Sequence, residues 1–160
     1  MIIRRATYSD VPLADEIYQE AKAYMKDSGN PSQWRGDYPS GLDVRIGIER
    51  GVSYVACIED EVVATFQFEI GNDPTYDKIY EGEWKSDAPY AFIHRIAVKY
   101  HGKGIADFIF SECYKLHPNL RIDTHRDNVP MQRVLLRNGF VPCGIIHLES
   151  GEERIAYQKQ

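Results

Sequence analysis

The residues of this chain best suited to chemistry are the glycines of one short loop, Lys99-Tyr100-His101-Gly102-Lys103-Gly104. The stretch before it, Phe92 to Val98, is apolar and β-prone and reads as a buried strand. After it, Ile105, Phe108, Ile109, Cys113 and Leu116 recur at helical spacing until His117-Pro118 stops the helix. A glycine loop between a strand and a helix start is an anion site. The first N–H groups of a helix have no partner within it, and the helix dipole adds about half a positive charge there. Gly102 and Gly104 lack a Cβ, so a phosphate can come close to the backbone, and Lys103 adds a cation. The loop predicts a phosphate-bearing ligand. It is not a dinucleotide fingerprint, because Asp107 stands where the third glycine or alanine belongs, and it has no Gly-Lys-Ser/Thr of a nucleotide P-loop.

The elements that must carry this loop can be read in order. Ile2 to Ala6 is a first strand. Ser9, Asp10 and Pro12 open a helix over roughly 11–27, with Leu13, Ile17, Ala21 and Tyr24 on one face. Residues 30–41 form a loop carrying Trp34 and Tyr38. Residues 42–50 fit either a helix or an alternating strand, and Gly51 favours a short helix. Strands follow at Val52–Ile58 and Val62–Ile70, joined by Glu59-Asp60-Glu61. Val62, Ala64, Phe66, Phe68 and Ile70 are expected on one face of the second, and Thr65, Gln67 and Glu69 on the other. Residues 71–89 are a long connection holding Tyr76, Tyr80 and Trp84, and connections of this length are often functional. Beyond the glycine loop and its helix lie a strand at Leu120–Thr124, a helix opened by Asp127-Asn128 and closed by Asn138-Gly139, and strands at Phe140–Leu148 and Arg154–Gln158.

Length and charge limit the functions available. The 160 residues are expected to form one domain, 1–160, with a sizeable core. A net charge of −5 argues against a nucleic-acid partner. No apolar run approaches the ~20 residues of a membrane helix, so no membrane partner is expected. Cys57, Cys113 and Cys143 are scattered without metal spacing, which predicts no metal and a cytoplasmic location.

The loop also resembles the acyl-CoA loop of the GNAT N-acetyltransferases, whose pattern of Arg or Gln, two residues, Gly, one residue, Gly or Ala falls on His101, Gly104 and Ala106. His101 departs from that pattern. Two further points carry the resemblance. The order of elements is similar to GNAT topology, and Asn128 through Phe140 (NVPMQRVLLRNGF) resembles the family's Asn-led helix ending in Gly-Phe. The strings QW-RGDYP, HRIAV and DTHRDN are similar to a subgroup of small bacterial-type members. The resemblance implies an α/β fold with a central mixed, mostly antiparallel sheet flanked by helices on both faces. It implies acetyl transfer from acetyl-CoA to a primary amine of a small molecule or peptide, by direct attack in a ternary complex. A non-catalytic acyl-CoA-binding or sensing domain is the rival reading. The oligomeric state stays open, a homodimer included.

By position, the resemblance assigns Ile96, Ala97 and Val98 to the thioester end of the cofactor. His101, Gly102, Lys103, Gly104, Ile105 and Ala106 fall to its pyrophosphate, and Asn128 to its pantetheine arm. A lysine-like amine with a pKa near ~10 is neutral in only about one molecule per thousand at pH 7, so a base is useful. His94 is the candidate, expected on the same strand face as Ile96 and Val98, since side chains two apart share a face. A histidine at the matching strand position serves as base in family members that acetylate arylalkylamines. Glu69 is a second candidate. Trp34 and Tyr38 are expected to wall the acceptor. The family's tyrosine, seven residues after the helix asparagine, is replaced by Leu135, which leaves a phenol such as Tyr90 or water to protonate the thiolate.

Overall fold

Capping residues set the helix ends in the computed structural model, which describes residues 1–160. Helix α1 (Val11–Asp27) starts at Asp10 with Pro12 in its first turn. Helix α2 (Gly41–Arg50) settles the ambiguous stretch. Ser40 Oγ accepts from Leu42 N at 3.3 Å, Asp43 Oδ2 accepts from Ser40 N at 2.9 Å, and Gly51 closes the helix in the left-handed conformation at φ 73°. Caps at both ends override the strand-like alternation of Val44, Ile46 and Ile48, and Ile46 is exposed. Helix α3 (Ile105–Leu116) follows the glycine loop, and α4 (Val129–Arg137) is capped by Asn128.

Seven strands form one sheet in the order β1-β2-β3-β4-β5-β7-β6. They are β1 (Ile2–Arg5), β2 (Ser53–Ile58), β3 (Glu61–Ile70), β4 (Ala91–Val98), β5 (Leu120–Thr124), β6 (Val141–His147) and β7 (Glu153–Lys159). Every neighbouring pair is antiparallel except β4 with β5. Helices α1 and α2 cover one face, where Ala14, Ile17, Tyr18 and Val44 pack on Val55, Cys57 and Ala97. Helices α3 and α4 cover the other, where Ile109, Phe110 and Leu135 pack on Phe66, Ile93 and Leu120. This is the expected α/β architecture.

Two bulges change the expected faces. Between β2 and β3, Ala56 pairs with Ala64 but Cys57 with Val62, so Val63 is the extra residue. Val62 consequently joins the α1 side, while Ala64, Phe66 and Phe68 stay on the α3 side. Between β3 and β4, Thr65 pairs with Ala97 and Gln67 with His94, so Arg95 and Ile96 together oppose Phe66. Arg95 sits at φ 53°, which is uncommon for a residue with a side chain. The buried Tyr18 of α1 holds it there, its hydroxyl donating to the Arg95 carbonyl at 2.8 Å. The bulge reverses the alternation of β4. His94 shares a face with Phe92 and Gln67, whereas Ile96 and Val98 pack with Ile93 on the α3 side. His94 and Ile96 are therefore on opposite faces, contrary to the expectation from spacing.

Candidate active site

Strands β4 and β5 pair only at Ala91–Leu120 and Phe92–Arg121. Beyond those residues the two strands no longer pair. A cavity of about 1070 Å³ fills the opening and extends beneath the 30–41 loop. Ile96, Ala97 and Val98 line it from β4, and Ile122, Asp123 and Thr124 from β5. Lys99 N–H bonds to the Val63 carbonyl of β3 at 2.8 Å. By the alternation of strand donors, the Val98 N–H points the other way, into the gap.

At one end of the cavity is the glycine loop. Gly102 and Gly104 both sit at φ 72°, and Gly104 is the N-cap of α3. The first bond of the helix is Phe108 N–H to the Gly104 carbonyl at 3.0 Å, so the N–H groups of Ile105, Ala106 and Asp107 have no helical acceptor. His101, Gly102 and Ala106 line the cavity. His101 stacks on Tyr24 of α1 with ring centroids 3.7 Å apart. Burial lowers its pKa, so it is a neutral ring at neutral pH rather than a cation. Lys103 is exposed and Ile105 is a core side chain. Neither side chain lines the cavity. The cation lining the cavity beside this helix start is Arg137 of α4, which sequence reading missed. It donates to both oxygens of Asp107 at 3.0 Å and holds that carboxyl below the usual range.

Asn128 lines the cavity, but its side chain is committed. Oδ1 caps α4 by accepting from Met131 N at 3.1 Å, and Nδ2 donates to Gln33 Oε1 at 2.9 Å. It ties the 30–41 loop to the end of β5. Beside it, the Thr124 hydroxyl is buried without a hydrogen-bond partner.

The other end of the cavity is built around His94. Its Nε2 lies 2.6 Å from Asp73 Oδ2, and its ring is fenced by Phe92 at 5.0 Å and Tyr76 at 5.9 Å. Asp73 belongs to the long connection after β3. Its Oδ1 accepts from the backbone and hydroxyl of Thr75, at 2.9 and 2.8 Å. Burial works to raise this carboxyl, but the imidazole hydrogen bond and charge, with the two bonds from Thr75, outweigh it and hold its pKa below the usual aspartate range. With the carboxylate accepting from Nε2–H, Nδ1 is the ring nitrogen with a free lone pair. Asp73 was missed because it lies 21 residues from His94, on a connection without periodicity. The run Asp73-Pro74-Thr75 marks a cap, and it does cap a short 3₁₀ turn, but nothing in it names His94 as a partner.

Glu69, Trp34 and Tyr38 also line the cavity. Glu69 is ion-paired with Arg50, so it is not a free base. Trp34 packs edge-on against Tyr18 at 5.7 Å. Tyr38 accepts from Arg95 Nε at 2.6 Å. Tyr90, expected to meet substrate, does not line the cavity. It is buried, and its hydroxyl accepts from Asp73 N at 2.8 Å, so it props the carboxylate that holds His94. Leu135, at the family's tyrosine position, is a fully buried core residue. Leu135→Tyr is therefore expected to crowd the core and bury an unpartnered hydroxyl. A loss of about 1–3 kcal/mol in denaturant unfolding, with no gain in rate, is the expected result. Cys113 and Cys143 are no substitute nucleophiles. Burial raises Cys143 and pushes Cys113 up to about 12. No three His, Cys, Asp or Glu side chains are grouped to hold a metal ion, and no helix is long and apolar enough to cross a membrane.

A sheet opened at its one parallel pair, with a glycine-loop helix start at one end of the gap, is the fold of an acetyltransferase. The chain is similar to an acetyltransferase of the GNAT family from Streptococcus agalactiae 2603, at 32% identity over 99% of this chain and 94% of that one, with a TM-score of 0.90. It is also similar in fold to a GNAT-family acetyltransferase from Bacillus cereus ATCC 10987 (18% identity, 99% and 96% covered, TM-score 0.65). The ribosomal-protein-alanine N-acetyltransferase of Brucella melitensis shares the fold as well (19% identity, 99% of each chain covered, TM-score 0.68). No family model matches the chain, and no curated protein does. The chain belongs to the GNAT acetyltransferase family, and that membership supports acyl transfer as its chemistry.

Proposed function

We propose that residues 1–160 act as one acetyltransferase domain that moves the acetyl group of acetyl-CoA to a primary amine, with His94 as the base. The observation that carries this reading is the Asp73–His94 pair, which faces the same cavity as the glycine loop. The chain's own groups fit the co-substrate. Unpartnered N–H groups at the start of α3 suit a pyrophosphate, and the Thr124 hydroxyl, buried without a partner, suits an amide of the pantetheine arm. Acetyl-CoA, when bound, supplies an activated thioester. The Val98 N–H, directed into the gap, is placed to steady charge developing on a carbonyl oxygen. His94 Nδ1 takes the proton of the incoming ammonium while Asp73 holds the ring in the tautomer that leaves Nδ1 free. The leaving thiolate needs less help, because an ordinary thiol has a pKa near ~8.5. Tyr38 is a phenol on the cavity wall that accepts from Arg95 and keeps its own proton to donate, so it replaces Tyr90 as the acid to test.

The test is release of free thiol from acetyl-CoA across polyamines, amino acids, aminoglycosides and peptide N-termini. Acceptor-dependent release supports the reading. Tight acetyl-CoA binding with no release for any acceptor would leave a binding domain instead. The acceptor wall gives a second test. Trp34→Ala removes an aromatic wall of the cavity that packs on Tyr18. It is expected to raise the acceptor KM several-fold while leaving acetyl-CoA affinity nearly unchanged in calorimetry. A change confined to thermal stability would make Trp34 only a packing residue.

A further inference from the structure

Five arginines line the cavity, and four of them meet a carboxylate. Arg35 and Arg154 meet Glu152 at 3.0 and 3.6 Å, Arg137 meets Asp107 at 3.0 Å, and Arg50 meets Glu69. Arg95 alone has no carboxylate partner. Its guanidinium is nonetheless fixed, because Nε donates to the Tyr38 hydroxyl at 2.6 Å and Nη1 to Gln67 Oε1. Gln67 is itself oriented by its Nε2 bond to the Asp43 carbonyl of α2 at 3.2 Å. Both acceptors are neutral, so the charge stays uncompensated, and three of the five N–H donors remain free.

The bulge gives this cation its place. In a regular strand consecutive side chains point to opposite faces. Here His94 is the cross-strand partner of Gln67, and Arg95 bonds the Gln67 side chain, so both lie on one face and both line the cavity. A base held by a carboxylate and a free guanidinium thus stand on adjacent residues. The first suits an ammonium group and the second an oxyanion.

We propose that Arg95 binds a negatively charged group of the acceptor, so that the substrate is a small zwitterionic amine with a carboxylate or phosphonate-like oxyanion a few bonds from its nitrogen. This rests on the acetyl-transfer reading and narrows it. A polyamine would set a second cation against Arg95. An amino-acid-like acceptor places its ammonium at the Asp73–His94 pair and its oxyanion on the free guanidinium N–H groups.

The experiment compares matched acceptors with acetyl-CoA, measuring kcat and KM separately. The set is L-phenylalanine, its amide and phenethylamine; L-lysine and cadaverine; and 1-aminoethylphosphonate beside L-alanine. The wild-type protein is expected to prefer L-phenylalanine over its amide and phenethylamine, and L-lysine over cadaverine, by at least tenfold in kcat/KM, mostly through KM. The phosphonate arm separates carboxylate from phosphorus oxyanion recognition. Arg95→Gln is expected to abolish the preference, lowering kcat/KM for the anionic acceptors at least tenfold more than for the neutral amines, and Arg95→Lys to keep part of it. Equal or better use of phenethylamine and cadaverine by the wild-type protein overturns the proposal, whether or not the variants fold. So does an Arg95→Gln loss that is the same for anionic and neutral acceptors. If no acceptor is turned over, the acetyl-transfer reading fails separately. Saturation-transfer NMR of the same compounds then decides the Arg95 site, since binding of the amino acids but not their decarboxylated partners, lost in Arg95→Gln, upholds it and its absence overturns it.

Discussion

Replacing His94 with alanine is expected to lower kcat/KM by roughly 10²-fold or more, within the range of general-base losses, and to remove the acidic limb of the pH–rate profile. The attacking amine is almost entirely protonated near neutral pH, so loss of the group that takes its proton is not easily made up. Asp73→Asn separates the parts of the pair. The amide keeps the shape but not the charge, and it can donate to the ring nitrogen as well as accept. A wrong tautomer then becomes accessible, and a loss of at least tenfold in kcat is expected with acetyl-CoA affinity unchanged. Because Asp73 acts through His94, the double variant should be little worse than His94→Ala alone. Its pKa is held below the usual carboxylate range, so Asp73 stays ionised as the pH falls through 5 and adds no limb of its own there. Near-native kcat/KM for His94→Ala across pH 6–9 would move the base elsewhere. Glu69 would be a poor replacement while Arg50 holds it.

Gly104→Val is expected to weaken acetyl-CoA binding by well over tenfold. A Cβ at this position meets only Asp107 Oδ2, at 3.9 Å, so the substitution does not clash in the folded chain. The difficulty is conformational. Gly104 caps α3 at φ 72°, a region that a β-branched residue avoids. The loop must then turn, and the first N–H groups of α3 lose their common aim. Hydrogen bonds to a charged group contribute about 1.5–3 kcal/mol each, so misdirecting two exceeds a tenfold loss. Gly104→Asn is the control, because asparagine tolerates left-handed backbone. It should retain more affinity than valine. Calorimetry on variants shown to be folded by circular dichroism reads both. Unchanged affinity in a folded Gly104→Val protein would remove the loop from the cofactor site.

The parts of the site that could be read from sequence are those built from contiguous residues. The glycine loop needs only a strand end, two residues without Cβ and a helix start, all within Phe92–Leu116. Capping boxes, the Asn128 cap and the stop at Gly51 are equally local, which is why the elements and the fold class were legible. Face assignment failed at β4, because alternation holds only while the ladder is regular. The extra residue at Arg95 is imposed from outside the strand, by the Tyr18 hydroxyl on its carbonyl and by pairing with β3. That one bulge turns His94 away from Ile96 and brings it alongside Arg95. Tertiary structure also decided which charges are free. Sequence shows five cavity arginines and their carboxylates only as composition, and folding pairs all but Arg95. The same holds for Asp73 and Leu135. A carboxylate becomes part of a base only when a non-periodic connection brings it 2.6 Å from an imidazole, and a helical position becomes core or cavity according to what packs above it.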